Sequence, residues 1–478
     1  MTAQEALKTY FGYDSFRPGQ DTVVSALLSG RDALAIMPTG AGKSLCYQIP
    51  ALLLPGLTLV ISPLISLMQD QVKGLSAAGI PAAYINSALT ENQIAKALQL
   101  AAQGSYKIIY VAPERLESPT FQSFAASAEI SMLTVDEAHC ISQWGQDFRP
   151  SYLRILDFID SLPRRPIVSA FTATATREVK DDIAQTLRLR DPEIVITGFD
   201  RPNLYYRVET TRRKDAFVAD YVRSHPGESG IIYCATRKNV DAVQELLQGE
   251  DISVARYHAG MTNEERRQSQ NDFIYDAAPV IVATNAFGMG IDKSNVRYVI
   301  HYNMPQSMEN YYQEAGRAGR DGLPSQCILL FSPQDIVINR FLLDHKENDD
   351  LDDEAADLLR ARDNQRLQAM ANYCQTTGCL RNYILRYFSE EPAEPCGSCG
   401  NCDREFEEVD MTAQAKWMIN CVAETRGRYG KGVVLNTLRG ANMARLRELG
   451  AMDYRSYGQL KDCTRDELDC LLAQLLEE

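Results

Sequence analysis

Residues 38 to 44 read Pro-Thr-Gly-Ala-Gly-Lys-Ser, and some ninety residues on comes Asp136-Glu137-Ala138-His139. This pair constrains the fold more tightly than any other feature. A glycine-rich turn that ends in Lys-Ser and opens a helix is a phosphate cradle. Its backbone N–H groups face the anion and the helix presents its positive dipole end. Gly40 and Gly42, with Thr39 before them, turn where a Cβ would clash. Lys43 is expected to reach the β- and γ-phosphates, and the Ser44 hydroxyl to ligate Mg²⁺. The acidic pair follows Met132-Leu133-Thr134-Val135, a short apolar run that reads as a buried strand. Asp136 at its end would hold the metal, and Glu137 would orient and deprotonate a water. The strict loop pattern places a glycine five positions before Gly42, where Met37 stands. The alternative is a glycine-rich turn that binds nothing.

A chain of 478 residues with 45% apolar content is long enough for two to four full-sized domains. It holds no stretch of eighteen uncharged apolar residues, so no membrane span is expected. The N-terminus shows no secretion signal. The expected location is cytoplasmic, nucleoid-associated if the source is bacterial. Cys46, Cys234 and Cys327 are scattered singly in apolar runs and read as reduced core residues. The net charge of −14 argues against nucleic-acid binding on average, but binding depends on local fields. The run from Glu347 to Glu354 is acidic and reads as a solvated connection. Residues 412 to 461 carry nine Lys/Arg against three Asp/Glu, a basic module hidden by the average.

Along residues 1–205, short apolar runs alternate with helical patterns: Ala33–Met37, Leu57–Ile61, Lys107–Val111, Met132–Val135 and Ile167–Phe171. This alternation predicts a parallel sheet with helices on both faces. Residues 206–340 repeat the style at Gly230–Cys234, Val254–Tyr257, Val280–Ala283, Tyr298–His301 and Gln326–Phe331. The fold class is therefore α/β, with two separate sheets and a nucleotide site in the cleft between them. Residues 341–408 read as helical with a cysteine cluster, and residues 409–478 as a small basic helical segment.

With both lobes in view, the chain resembles the RecQ family of superfamily 2 DNA helicases over nearly its whole length. The resemblance implies two RecA-like lobes, a zinc-binding module and a winged helix. Phe16-Arg17-Pro18-Gly19-Gln20 is similar to the family's motif 0, which implies adenine recognition by Gln20 with help from Arg17. Ile61-Ser62-Pro63 onward resembles motif Ia, where Ser62 suits a backbone phosphate. Cys140-Ile141-Ser142-Gln143-Trp144-Gly145-Gln146-Asp147-Phe148-Arg149-Pro150, directly after the acidic box, resembles the family's aromatic-rich loop. Trp144 and Phe148 would stack on unpaired bases, with Arg149 beside them; Trp144 buried between the lobes is the alternative. Ser169 to Ala175 resembles motif III. Val282 to Asp292, with Gly290 and Asp292, resembles motif V. Gln313-Glu314-Ala315-Gly316-Arg317-Ala318-Gly319-Arg320 resembles motif VI. Its arginines, on one face if the segment is helical, would neutralise charge at the γ-phosphate, with Arg320 the favoured finger and interlobe ion pairing the alternative.

Cys396, Cys399 and Cys402 form overlapping Cys-x-x-Cys steps, with Cys379 upstream and Cys374 as a competing fourth ligand. Four thiolates suit tetrahedral Zn²⁺; an iron–sulfur cluster fits the ligand type too. The resemblance favours structural zinc on Cys379, Cys396, Cys399 and Cys402. In the last segment Arg439, Arg445 and Arg447 match the winged helix's recognition region as phosphate contacts. No wing sequence and no span for the HRDC domain of longer family members is found. The expectation is thus an ATP- and Mg²⁺-dependent 3′-to-5′ DNA helicase of recombination and repair. It would act on single-stranded and tailed duplex DNA, alongside single-strand-binding and recombination proteins. The alternatives are a DEAH-type RNA helicase, a DNA-stimulated ATPase that unwinds weakly for want of a wing, or a binding scaffold with a vestigial motor.

Overall fold

The computed structural model describes residues 1–477 except 146, 288–292, 346–352, 393 and 405–408. The first lobe carries β1 (Ala33–Ile36), β2 (Leu57–Ile61), β3 (Ala82–Ile85), β4 (Ile108–Val111), β5 (Ile130–Val135), β6 (Ile167–Thr172) and β7 (Glu193–Ile196). They form one sheet in the order β3-β4-β2-β5-β6-β1-β7, parallel throughout. The second lobe carries β8 (Leu204–Thr210), β9 (Ser229–Tyr233), β10 (Val254–Tyr257), β11 (Val280–Ala283), β12 (Val296–His301) and β13 (Ser325–Phe331). Their order, β10-β11-β9-β12-β13-β8, is again parallel and repeats the first sheet without its last edge strand.

Strands β1, β2, β4, β9 and β11 are buried along their whole length. That is the reason they read as unbroken apolar runs: helices cover both faces of a parallel sheet. The three strands the sequence pattern misses, β3, β7 and β8, all lie at sheet edges. β7 alternates half-buried and exposed residues, and β8 alternates along Leu204, Tyr206 and Val208. Strand β8 starts at Leu204 and pairs with β13, so residues 204 and 205 of the expected 1–205 span already sit in the second sheet.

Helices Pro333–Asp344, Asp353–Gln375 and Leu380–Tyr387 follow the second lobe, and most of the acidic run 347–354 lies outside the described residues. Helices Thr412–Glu424, Lys431–Leu438, Ala444–Glu448 and Arg465–Glu477 then close around a small core of their own, with Met418, Cys421, Val434, Leu438 and Leu468 buried. Among the described residues no strand follows β13. No helix among them is long and apolar enough to cross a membrane.

Candidate active site

The phosphate loop leaves the C-terminal end of β1, and the acidic box leaves that of β5; β6 runs between them. Parallel sheets present ligand sites at this end of their strands. The loop enters helix Lys43–Leu53 through Gly42 at φ 81°. A Cβ on Gly42 would lie 2.5 Å from Gln20 Nε2, so glycine is required there both by conformation and by the approach of Gln20.

Gln20 is buried, and its amide donates to the Ala41 and Gly42 carbonyls at 2.9 and 3.2 Å while accepting from Arg17 N–H at 2.9 Å. Arg17 Nη1 donates to the Gly40 carbonyl at 2.6 Å. The two residues expected at an adenine edge are thus engaged with the loop backbone. Ser44 follows Lys43 in the first turn of the helix and is half-buried. Lys43 Nζ donates to Met37 O at 3.0 Å. Burial holds its pKa below the ordinary lysine value, against the pull of Glu137 and Asp136, with Arg320 adding a like-charge push.

Asp136 is buried, and burial followed by the neighbouring Glu137 pushes its carboxyl up to about 7 against Lys43. Glu137 sits in the left-handed region at φ 47°, uncommon for a residue with a side chain and a form of strain that collects at functional sites. Its Oε2 is buried without a hydrogen-bond partner. His139 Nδ1 lies 3.4 Å from that oxygen and 2.9 Å from Thr172 Oγ1 at the end of β6. The acidic box is therefore tied to the segment resembling motif III. A buried carboxylate with a second carboxylate and an ammonium beside it fits a polyanion and a divalent cation, which would supply balancing charges.

The second lobe closes the site. Helix Met308–Ala315 stops before Arg317, so the two arginines lie in successive turns and the expected helical face is not formed. Gly319, at φ 56°, turns the chain between them. Arg320 packs its stem on the phosphate loop: a Cβ on Gly40 would lie 3.3 Å from Arg320 Cγ. Arg317 is buried beside Tyr233, whose phenol burial pushes up to about 12 against the Arg317 charge. Gln313 is half-buried on the preceding helix, while Gly290 and Asp292 lie outside the described residues.

Sequence reasoning missed Arg201. One guanidinium donates to Thr39 O at 3.3 Å in the first lobe and to Gly316 O, Ala318 O and Gly319 O at 3.2, 3.1 and 3.1 Å in the second. Main-chain acceptors leave no trace in a sequence, which explains the omission. Arg381 was missed for the same reason. It is buried and donates to Asp200 Oδ1, Arg201 O and Leu204 O at 2.7 Å each, pinning the interlobe connection to the helix that Cys379 caps.

The four sulfurs of Cys379, Cys396, Cys399 and Cys402 lie within 4.8 Å of one another. Cys396 and Cys402 are 3.9 Å apart, and Cys379 and Cys399 4.0 Å. A tetrahedron of Zn–S bonds of about 2.3 Å has edges of about 3.8 Å, so the cage fits zinc. Cys374 is buried outside this group.

Four family models match in order along the chain: DEAD/DEAH box helicase at 17–182, helicase conserved C-terminal domain at 213–322, RecQ zinc-binding at 333–403 and RQC domain at 405–478. The ATP-dependent DNA helicase RecQ of Bacillus subtilis is 45% identical over the whole chain and 79% of its own length. That of Pasteurella multocida is 40% identical over the whole chain and 74% of its own length. This chain belongs to the RecQ family. It is an ATP-dependent DNA helicase of the RecQ type. The fold alone extends further: Saccharomyces cerevisiae Dbp5 bound to RNA and ADP BeF3 superposes with TM-score 0.57 at 19% identity, covering 75% of this chain and 97% of that one.

In this RecQ protein the aromatic-rich loop folds back on the acidic box. Gly145 meets His139 so closely that a Cβ would lie 2.0 Å from the His139 carbonyl oxygen. Trp144 is 46% exposed, which removes the buried alternative, and Phe148 is half-buried. Arg149 is clamped on Asp147 Oδ2 at 2.8 Å and the Pro63 carbonyl at 3.1 Å, so it fixes the loop to the segment resembling motif Ia. Ser62 requires a correction. It follows the last residue of β2 and has no exposed surface, so its hydroxyl is not presented to a phosphate. Ser66, exposed in the first turn of helix Ile65–Ala77, is the hydroxyl presented to solvent. Arg439, Arg445 and Arg447 are exposed around helix Ala444–Glu448; Arg445 lies 3.6 Å from Glu448, and Arg447 bonds Asn442 Oδ1 at 2.7 Å.

Proposed function

We propose that ATP is cleaved at the seam between the lobes and that the resulting opening and closing moves the protein 3′ to 5′ along one DNA strand. The observation that carries this is the contact of Arg320 on Gly40, which sets a second-lobe arginine against the first-lobe phosphate loop. Lys43 and the loop N–H groups hold the β- and γ-phosphates. Glu137 orients and deprotonates the attacking water, and Arg320 neutralises charge that develops on the γ-phosphate. Ser44 and Asp136 would hold Mg²⁺, which when bound supplies charge neutralisation at the phosphates. Arg201, bonded to both sides of the seam, keeps them in register. Product release removes the phosphate that Arg320 contacts, and the lobes separate.

Zinc on the four cysteines is structural, since a closed four-thiolate site leaves no position for water. Trp144 and Phe148 stack on unpaired bases, and the Gly145–His139 contact passes strand binding to the acidic box. Ser66 and the arginines around 439–447 serve as phosphate contacts. The working units are 1–203, 204–340, 341–408 and 409–478, acting on tailed duplexes in recombination and repair beside single-strand-binding and recombination proteins. ATP hydrolysis measured with and without single-stranded DNA and RNA tests this reading. Strong stimulation by DNA over RNA supports it, and indifference to DNA contradicts it.

A further inference from the structure

The exposed ring of Trp144 is not bare. The guanidinium of Arg362, from the zinc-module helix Asp353–Gln375, lies 3.6 Å from the ring centroid. Arg362 Nη1 also reaches Gln143 Oε1 at 3.5 Å. Arg366, one turn further along the same face, donates from Nη2 to the Trp144 carbonyl at 2.5 Å and pairs with Asp363 at 2.8 Å. The same short loop is held from the other side. Trp144 N–H donates to Ser142 Oγ at 3.1 Å, and that hydroxyl donates to Asp182 Oδ2 at 2.5 Å. The zinc module thus grips the loop that runs from the acidic box.

A guanidinium over an indole face and a nucleobase over the same face are mutually exclusive, because each needs van der Waals contact with one π surface. We propose that Arg362 is a positioning residue for the helicase reaction: it occupies the stacking face of Trp144, and an entering single strand must displace it before the loop can signal the acidic box. Arg366, anchored on the main chain, keeps the loop at the module while the ring changes partner. The zinc module thereby sets the strand concentration at which hydrolysis switches on. This rests on the reading of Trp144 as a base-stacking residue, and the test separates the two.

The full chain has two tryptophans, and the substitution Trp417→Phe leaves Trp144 as the sole reporter. In that background, without DNA, Arg362→Ala is expected to raise acrylamide quenching of Trp144 fluorescence, with Arg362→Lys intermediate. With a thymidine homo-oligonucleotide, Arg362→Ala is expected to lower the half-activating concentration for ATP hydrolysis about two- to fivefold, the worth of an exposed cation–π contact. Trp144→Ala is expected to blunt the activation and erase the effect of Arg362→Ala. An unchanged or higher half-activating concentration in Arg362→Ala, alongside loss of activation in Trp144→Ala, overturns the proposal alone. Full activation of Trp144→Ala overturns both the proposal and the stacking reading beneath it.

Discussion

Arg320 and Gly40 come from different lobes and touch: the arginine stem lies where a Cβ on the glycine would be 3.3 Å from its Cγ. Arg317, three residues earlier, is turned to Tyr233 instead. The left-handed turn at Gly319 separates the two. Arg320→Ala is therefore expected to lower kcat for DNA-stimulated ATP hydrolysis by about a thousandfold, the low end of the range for a charge-neutralising arginine. Arg317→Ala is expected to cost less. Steady-state hydrolysis of both variants checks the order.

Lys43 is the half-buried cation beside two carboxylates and the phosphate loop. Lys43→Ala is expected to lower kcat by at least about 10²–10³, in line with removal of a preorganised electrostatic group, while far-UV circular dichroism and DNA binding persist. Full hydrolysis by this variant would remove the phosphate-loop assignment.

Arg381 satisfies three main-chain and side-chain acceptors at 2.7 Å from a buried position. Its replacement by alanine strands the Arg201 and Leu204 carbonyls. Arg381→Ala is expected to destabilise the protein by about 2–4 kcal/mol, read by chemical denaturation.

The cysteine cage separates its ligands from a bystander. Cys379→Ser is expected to lose the bound zinc, measured by metal analysis of the purified protein, and to melt the module, because metal binding is coupled to its folding. Cys374→Ser, with its sulfur outside the cage, is expected to keep one zinc per chain. Equal loss from both variants contradicts the ligand set.

The motor was legible in the sequence wherever chemistry demands a residue type: Gly42 where φ is 81° and Gln20 crowds in, Asp136 at the end of a buried strand, four cysteines at ligand spacing. It was illegible where the partner is main chain. Arg201 binds four carbonyls across the seam, and nothing in its sequence neighbourhood marks it. Ser62 misled because position beside a strand end says nothing of burial. Edge strand β7 escaped for another reason: its apolar run Ile194-Val195-Ile196 is only three residues long, and its two isoleucines lie exposed at the sheet edge rather than in a core. The aromatic loop was found, but its hold by Arg362 joins residues more than two hundred positions apart.

The most direct test of the central claim is strand displacement from a duplex carrying a single-stranded tail. With ATP and Mg²⁺, a 3′-tailed duplex should be separated and a 5′-tailed one left intact; a non-hydrolysable analogue should support neither. Separation that proceeds with the analogue, or that favours the 5′ tail, contradicts cleavage at the interlobe seam as the source of directed movement.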